Sequence, residues 1–433
     1  MRALINRDYT RLWYGQAVSV LGDYMFDTTL ALWVATQLGK GHSWAPAAMS
    51  GVLLSAGAAV LVVGPLAGVF VDRWNRKALM LRTEIVRAVL VGALAGLAVV
   101  PQRALSTGAW LVVIYTTVFT VNAAGQFFSP ARLAILGEIV PGEADRARAS
   151  GIEQATSATA AIIGPPLAAP LLFTVGMQWA LAFNAVSYLV SYAAIRSVRA
   201  AHAADPAAQR SSGMFRAEFT AGVRYFARSR LLVTLLALAV IAQLGTGALN
   251  TLDIFFVTGN LHAPAKLYGL VATAFGAGAV IGGLASGWVV RRVGARTLLW
   301  LGAAVAGAVV MLYARQTAFA AALGLIVLLA LTVTMLNTAI TPLLLKTPSE
   351  FLGRVVAVFS PVNKLSQMLS MAVAGWLASS VLRGVHGAVF GVHVGPIDTI
   401  FSAAGLLMIA AGGFGMLALP REAVSGPALV AAG

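Results

Sequence analysis

The sequence predicts an all-α membrane protein with about twelve transmembrane helices arranged as two pseudo-symmetric six-helix halves. Three observations lead there. Of the 433 residues, 59% are hydrophobic and only 10% are charged, against about 25% charged in a soluble domain. The apolar residues gather in runs long enough to cross a bilayer, which takes about 20 residues. A charged loop, GVFVDRWNRK at Gly68–Lys77, returns in worn form as GWVVRRVGAR at Gly287–Arg296. Recurrence about half a chain later is the mark of a duplicated transporter architecture.

Taken in order, the apolar runs place spans near 11–38, 46–71, 79–100, 107–128, 150–173, 177–198, 231–257, 265–290, 296–314, 318–340, 355–382 and 396–419. The N-terminal MRALINRDYTRLWYG is basic and enters the first run without a small-residue cleavage site, so a retained first helix is expected. Between the sixth and seventh runs lies the one long hydrophilic stretch. The expected organisation is an N-terminal half over 1–199, a cytoplasmic central loop over 200–230 and a C-terminal half over 231–433. In that loop Phe215, Phe219, Val223 and Phe226 recur at helical spacing, while Arg216, Glu218, Arg224 and Arg228 fall largely off the stripe. That pattern predicts an amphipathic helix lying on the membrane.

The net charge of +15 comes from 30 Lys and Arg against 15 Asp and Glu. The basic residues fall in loops, so the excess orients the chain in the bilayer and does not point to nucleic acid. Loops on the side of the N-terminus hold Arg73, Arg76 and Lys77, then Arg132, Arg146 and Arg148, then the central loop, then Arg291, Arg292 and Arg296, then Lys346 and Arg354, then Arg421. The other side has only Lys40, Arg103, Lys266, Arg315 and Arg383. By the positive-inside rule both termini are expected in the cytoplasm, in a multi-pass protein of the cell (inner) membrane. The absence of Cys excludes disulfides, zinc thiolates and thiol nucleophiles.

An ionisable residue inside a span costs about 2.5–3.5 kcal/mol on insertion scales, so each is a functional candidate. Asp23 and Asp27 sit one turn apart on one face of the first span. Two carboxylates withdrawn from water and close together suit a site that exchanges a proton; a structural hydrogen bond within the bundle is the other reading. Lys364, with Asn363, Ser366 and Gln367 around it, would contact substrate, influence Asp23, Asp27 or Asp253, or snorkel to the surface. Asp253 is expected near the outer interface, and Arg87 is expected to be structural. Glu84 and Glu153 lie near the cytoplasmic face as gating candidates. Gln16, Ser19, Thr120, Asn122, Gln126, Gln243, Asn250 and Asn337 mark a polar cavity or, singly, helix–helix hydrogen bonds. Tyr24, Phe26, Trp33 and Tyr115 are candidates for an apolar pocket.

In the charged loop, Gly68 permits close helix approach. Asp72 can meet the N–H groups at a neighbouring helix start, and Arg73, Arg76 and Lys77 sit among lipid phosphates and acidic side chains. GVFVDRWNRK resembles the loop 2–3 signature of the major facilitator superfamily, usually G-x-x-x-D-R-x-G-R-K. Asn75 stands where that pattern has Gly, a place where Asn can adopt positive φ, and Arg291 replaces the aspartate in the second copy. SVLGDY, FFSPARLAILGEIVP after the fourth span and the Phe215–Arg230 segment resemble the macrolide-efflux-like branch of the drug:proton antiporters. GPPLAAP at Gly164–Pro170 resembles the antiporter motif G-P-x-x-G-G, with Gly164 and Pro165 kept and Ala168 and Ala169 in place of the paired glycines.

The resemblance implies the major facilitator fold, with helices one, four, seven and ten around the cavity. It also implies proton-coupled efflux of a lipophilic or amphipathic small molecule such as a drug, macrolide or siderophore-like compound. An importer or lipid translocator on the same fold is the alternative. An enzyme would need a clustered nucleophile, base or metal set, and ATP drive would need a Walker A run; neither is in the sequence. No cofactor and no metal site are expected. The expected partners are a small-molecule substrate, protons and the lipid bilayer, with the chain acting as a monomer.

Overall fold

The computed structural model describes residues 4–71, 74–199, 224, 226–344, 349–385, 387–389 and 392–419. Among the described residues, twelve long helices occupy the predicted spans. The first six are α1 (Arg7–Trp33), α2 (Ala45–Val71), α3 (Arg76–Leu97), α4 (Thr107–Ile139), α5 (Glu143–Thr174) and α6 (Met177–Ser197). The second six are α7 (Arg230–Gly259), α8 (Tyr268–Val293), α9 (Ala295–Tyr313), α10 (Phe319–Leu344), α11 (Ser349–Trp376) and α12 (Pro396–Ala418). One turn of π-helix extends α1 to Leu38 and another extends α11 to Val381. A two-stranded hairpin, Gly387–Val389 with Val392–Val394, fills the loop before α12.

Among the described residues, eight helices are long and apolar enough to cross a membrane by composition alone. The other four, α1, α3, α6 and α11, pack against them with comparable length. Leu284 is 82% exposed and Leu417 78%, among many exposed Leu and Val. Such a surface suits hydrocarbon, not water.

The two halves repeat one packing scheme. In the first, α1 packs on α5 and α6, α2 on α4, and α3 on α4 and α6. In the second, α7 packs on α11 and α12, α8 on α10, and α9 on α10 and α12. The halves meet through α2 with α11 and α5 with α8. The face bearing the starts of α1 and α7 also bears Lys77 and Arg296 and is called the basic face below; the opposite side is the far face.

Two sequence expectations are corrected here. The charged loop expected after the fourth span is mostly helix: α4 runs past Pro130 and Arg132 to Ile139, and α5 begins at Glu143. A reading by bilayer thickness stops where hydrocarbon ends. The helical spacing continues, however, and Ala131, Ile135, Leu136 and Ile139 bury in a cluster with Tyr9, Leu12 and Met80. Glu143 and Asp145 in the first turn of α5 favour a helix start there.

Asn75 does not use positive φ. It is extended at φ −61° and caps α3, its Oδ1 accepting from Ala78 N at 2.9 Å. The matching position of the second copy is Gly294, at φ +80°, where glycine is the residue that fits. Most of the expected amphipathic helix, including Phe215 and Phe219, lies outside the described residues. Its end is described: Phe226 is buried against Leu232 and Val355.

Candidate functional site

Three places gather the polar and charged residues of the spans. The first lies inside the N-terminal half, between α1, α3 and α6. Arg87 Nη2 donates to Asp23 Oδ2 at 3.0 Å and Oδ1 at 3.1 Å, and its guanidinium stacks 4.2 Å above the Tyr188 ring. Tyr188 O–H donates to the same carboxylate. Asn184 Nδ2 donates to the Tyr188 oxygen at 3.3 Å. Glu84, one turn before Arg87 on α3 and fully buried, has Oε2 at 4.0 Å from Arg87 Nη1. Its Oε1 accepts from Ser191 Oγ at 2.7 Å, and Ser191 Oγ accepts from Gln16 Nε2 at 2.7 Å. One guanidinium thus serves two carboxylates, though Arg87 Nε and Glu84 Oε2 are buried without a hydrogen-bond partner of their own. Asp23 is therefore charge-paired within its own half.

The second place is the inner wall between the halves. Asp27, one turn beyond Asp23, is exposed, and its carboxylate and the Lys364 ammonium on α11 lie within electrostatic reach of each other. Lys364 Nζ also donates to Gln367 Oε1 at 3.2 Å. Asn122 and Gln126 on α4 donate back along their own helix, to Val118 O at 2.9 Å and Asn122 O at 3.4 Å. Asn337 on α10 is exposed.

The third is a cavity of about 380 Å³ between α1, α5, α7, α8 and α10. Tyr24, Pro165, Asn250, Asp253, Tyr268 and Phe275 are among its walls. Asp253 stands near the far-face end of α7 and is only 5% exposed; Tyr313 on α9 reaches it and donates from its hydroxyl at 2.5 Å. Gly164 lets α5 come close to α1 beside this cavity: a Cβ there would stand 2.7 Å from Tyr24 Cβ. The antiporter-like Gly164–Pro165 pair is therefore a packing point adjoining the cavity. Of the other aromatic candidates, Phe26 and Trp33 belong to the core, and Tyr115 donates to Ala48 O at 2.8 Å.

Above this cavity the halves are sewn together near the far face. Ser50 Oγ donates to Met371 O at 2.9 Å, and Ala47 N donates to Ser379 Oγ at 3.0 Å. A Cβ on Gly269 would stand 2.6 Å from Pro166 Cα. Ile254 joins Leu30, Trp33 and Leu172 in one core cluster, with Phe255 and Tyr268 packed against it.

At the basic face, Arg76 pairs with Glu138 at 2.9 Å and Arg132 with Glu153 at 2.7 Å. Lys77 Nζ donates to the final carbonyls of α6, Arg196 O at 3.1 Å and Val198 O at 2.6 Å. Arg296, the tenth residue of the second copy as Lys77 is of the first, donates to Met416 O and Leu419 O at the end of α12. Gly68 lies in the last turn of α2. Asp72 and Arg73 lie outside the described residues. The duplicated loop therefore makes the same helix-end contact in each half. A family model described as transmembrane secretion effector matches residues 2–421. The chain belongs to that family, within the major facilitator superfamily.

The chain is 31% identical over 180 residues to BacE of Bacillus subtilis (strain 168), named as a candidate bacilysin exporter; the match covers 42% of the chain and 41% of the relative. It is 22% identical over 276 residues to macrolide efflux protein A of Streptococcus pyogenes, covering 64% of the chain and 65% of the relative. The matched region thus spans about two fifths of the first relative's length and less than two thirds of the second's. A crystal structure of a bacterial homologue of the iron transporter ferroportin, in an inward-facing state, superposes with a TM-score of 0.71 at 14% identity, covering 97% of this chain and all of that one. The chain is a multi-pass membrane transporter and not an enzyme.

Sequence reasoning missed the assembled Arg87–Asp23–Glu84–Tyr188 network. One signal was available: Glu84 and Arg87 stand at i, i+3 on one face of an apolar helix, and so does Asp23 on another. No signal singled out Tyr188 or Tyr313, since the pairing of α3 with α6 and of α7 with α9 is not written locally.

Proposed function

We propose that this transporter exports a lipophilic or amphipathic small molecule in exchange for protons, by alternating access between its two halves. The observation that carries the reading is the position of the seam. The halves are joined near the far face, while Asp27 and Lys364, on opposite halves, lie within electrostatic reach of each other on the basic-face side of it. With the basic face in the cytoplasm, as the positive-inside rule orients it in a bacterial inner membrane, that is an inward-open arrangement able to load cargo from inside the cell. The printed names of the relatives, an exporter and an efflux protein, support the same direction. Asp27 and Asp23 are the proton-coupling candidates. Asp27 is the cleaner one, because Asp23 also holds Arg87 in place.

The test is flux of fluorescent amphipathic probes in proteoliposomes, with and without an imposed pH gradient. A gradient should drive probe movement opposite to protons, and Asp27→Asn should uncouple the two while leaving downhill flux. Flux indifferent to the gradient would sink proton coupling, and unchanged coupling in the Asp23→Asn/Asp27→Asn double variant would remove the aspartates from it. Since the chain has no Cys, single cysteines at Arg7 or Lys40 report sidedness by labelling in whole cells; labelling at Arg7 and not Lys40 from outside would reverse the orientation and with it the direction.

A further inference from the structure

We infer that Asp253 is the anchor of a binding site for a cationic amine carried on an apolar or aromatic body. The inference deepens the export reading by naming the chemical class of its cargo, and it rests on that reading only for the direction of movement. Asp253 lies on the wall of the 380 Å³ cavity directly below the seam. One carboxylate oxygen accepts from Tyr313 O–H at 2.5 Å. Tyr313 cannot swing away freely, because Phe256 and Phe401 hold its ring at centroid distances of 4.8 and 6.0 Å. Among the described residues, no lysine, arginine or histidine forms an ion pair with Asp253.

A carboxylate held away from water without an internal cation is a poor place for a neutral or anionic ligand. The first leaves it stripped of water and unpaired, and the second is repelled. An ammonium supplies the missing charge and a charge-assisted hydrogen bond. The remaining walls suit what such an ammonium would carry. Tyr24, Tyr268 and Phe275 offer ring faces to a cation or an aromatic body. Asn250 and Thr246 are polar wall residues able to fix orientation.

The experiment uses the full chain in lipid nanodiscs, with no gradient. It measures binding of three dansyl probes that share one pentyl linker and end in a primary amine, a hydroxyl or a carboxylate. The amine should bind at least about tenfold tighter than the alcohol, equivalent to ~1.4 kcal/mol, with the carboxylate weakest. Asp253→Asn should bring amine and alcohol together without weakening the alcohol, and Asp253→Glu should keep the order. Equal affinity for amine and alcohol in the unmodified chain would overturn the inference, as would an amine preference that survives Asp253→Asn. Loss of amine binding to millimolar sodium or potassium alone would reassign the site to an inorganic cation and overturn it too. If Asp253→Asn does not yield folded protein, the three probes on the unmodified chain and the Glu variant carry the test. Amine-selective binding without pH-driven flux would refute only the export reading; pH-driven flux without amine preference would refute only this one.

Discussion

In the N-terminal half, the buried aspartate Asp23 is matched by a cation from its own half: Arg87 bridges it to Glu84 and lies over Tyr188. In the C-terminal half, Asp253 has a phenol, Tyr313, and among the described residues no ion pair. The register of the repeated loop can be carried into the next helix of each half. The C-terminal counterparts of Glu84 and Arg87 are Ala303 and Ala306, both buried. There α9 closes on α12 through small residues, so that a Cβ on Gly307 would stand 2.5 Å from Gly405 O. The contacts of α3 with α1 and α6 thus carry a charge network, where the matching α9–α12 contact has closely packed small residues. The helix packing and the helix-end contacts repeat between the halves, while the chemistry of the interior differs.

The largest expected effect breaks that contrast at Arg87. Arg87→Met leaves two carboxylates in the N-terminal half without their cation. Removing one partner of a buried pair costs about 3–5 kcal/mol, here toward the lower end because the Asp23 side chain is 34% exposed. The loss should appear as a lowered unfolding temperature and poor monodispersity in detergent. Asp253→Asn, by contrast, should leave stability within about 1 kcal/mol, since a buried aspartate without an ion pair gives up no Coulombic partner. Equal destabilisation by the two would erase the distinction between the halves.

Next in size is Gly307→Val. Overpacking the α9–α12 contact should cost about 1–3 kcal/mol, read by thermal unfolding. An indifferent result would mean the C-terminal half is not held by small-residue contact.

The smallest effect sharpens the part that is shared. Lys77→Ala and Arg296→Ala each remove a cation from the carbonyl end of a helix, worth about 0.3–1 kcal/mol. The two losses should agree within error, and a large difference would show that the repeated loops no longer do the same job.

Much of the architecture was legible because bilayer thickness imposes a length on apolar runs, and basic loops punctuate them. That reading fails where helix continues beyond the hydrocarbon, as at Pro130–Ile139 and Glu143–Arg148. Individual candidates were legible by a single property, charge inside a span, which found Asp23, Asp27, Asp253 and Lys364. What those charges do was not legible. Asp23 and Asp27 share a helix face in the sequence, yet one turn of α1 separates a residue tied to Arg87 from one within reach of Lys364. Whether a buried carboxylate is already matched depends on a helix about 60 or more positions away, as Asp253 and Tyr313 illustrate, and single-chain periodicity carries no such information.

The far-face seam has a mechanical consequence. α2 has 27 residues, about 40 Å at roughly 1.5 Å per residue, and its start is pinned to α11 through Ala47 and Ser50. In the proposed alternating access each half would act as a lever with its fulcrum near one end. A tilt of about 10° at the fulcrum sweeps the other tip through about 7 Å over that ~40 Å length, the width of an aromatic ring. The ties Arg76–Glu138, Arg132–Glu153 and Lys77 to α6 bind the tips of neighbouring rods together. In that cycle a small slip of side chains at the seam would be delivered at the basic face as a single coordinated stroke.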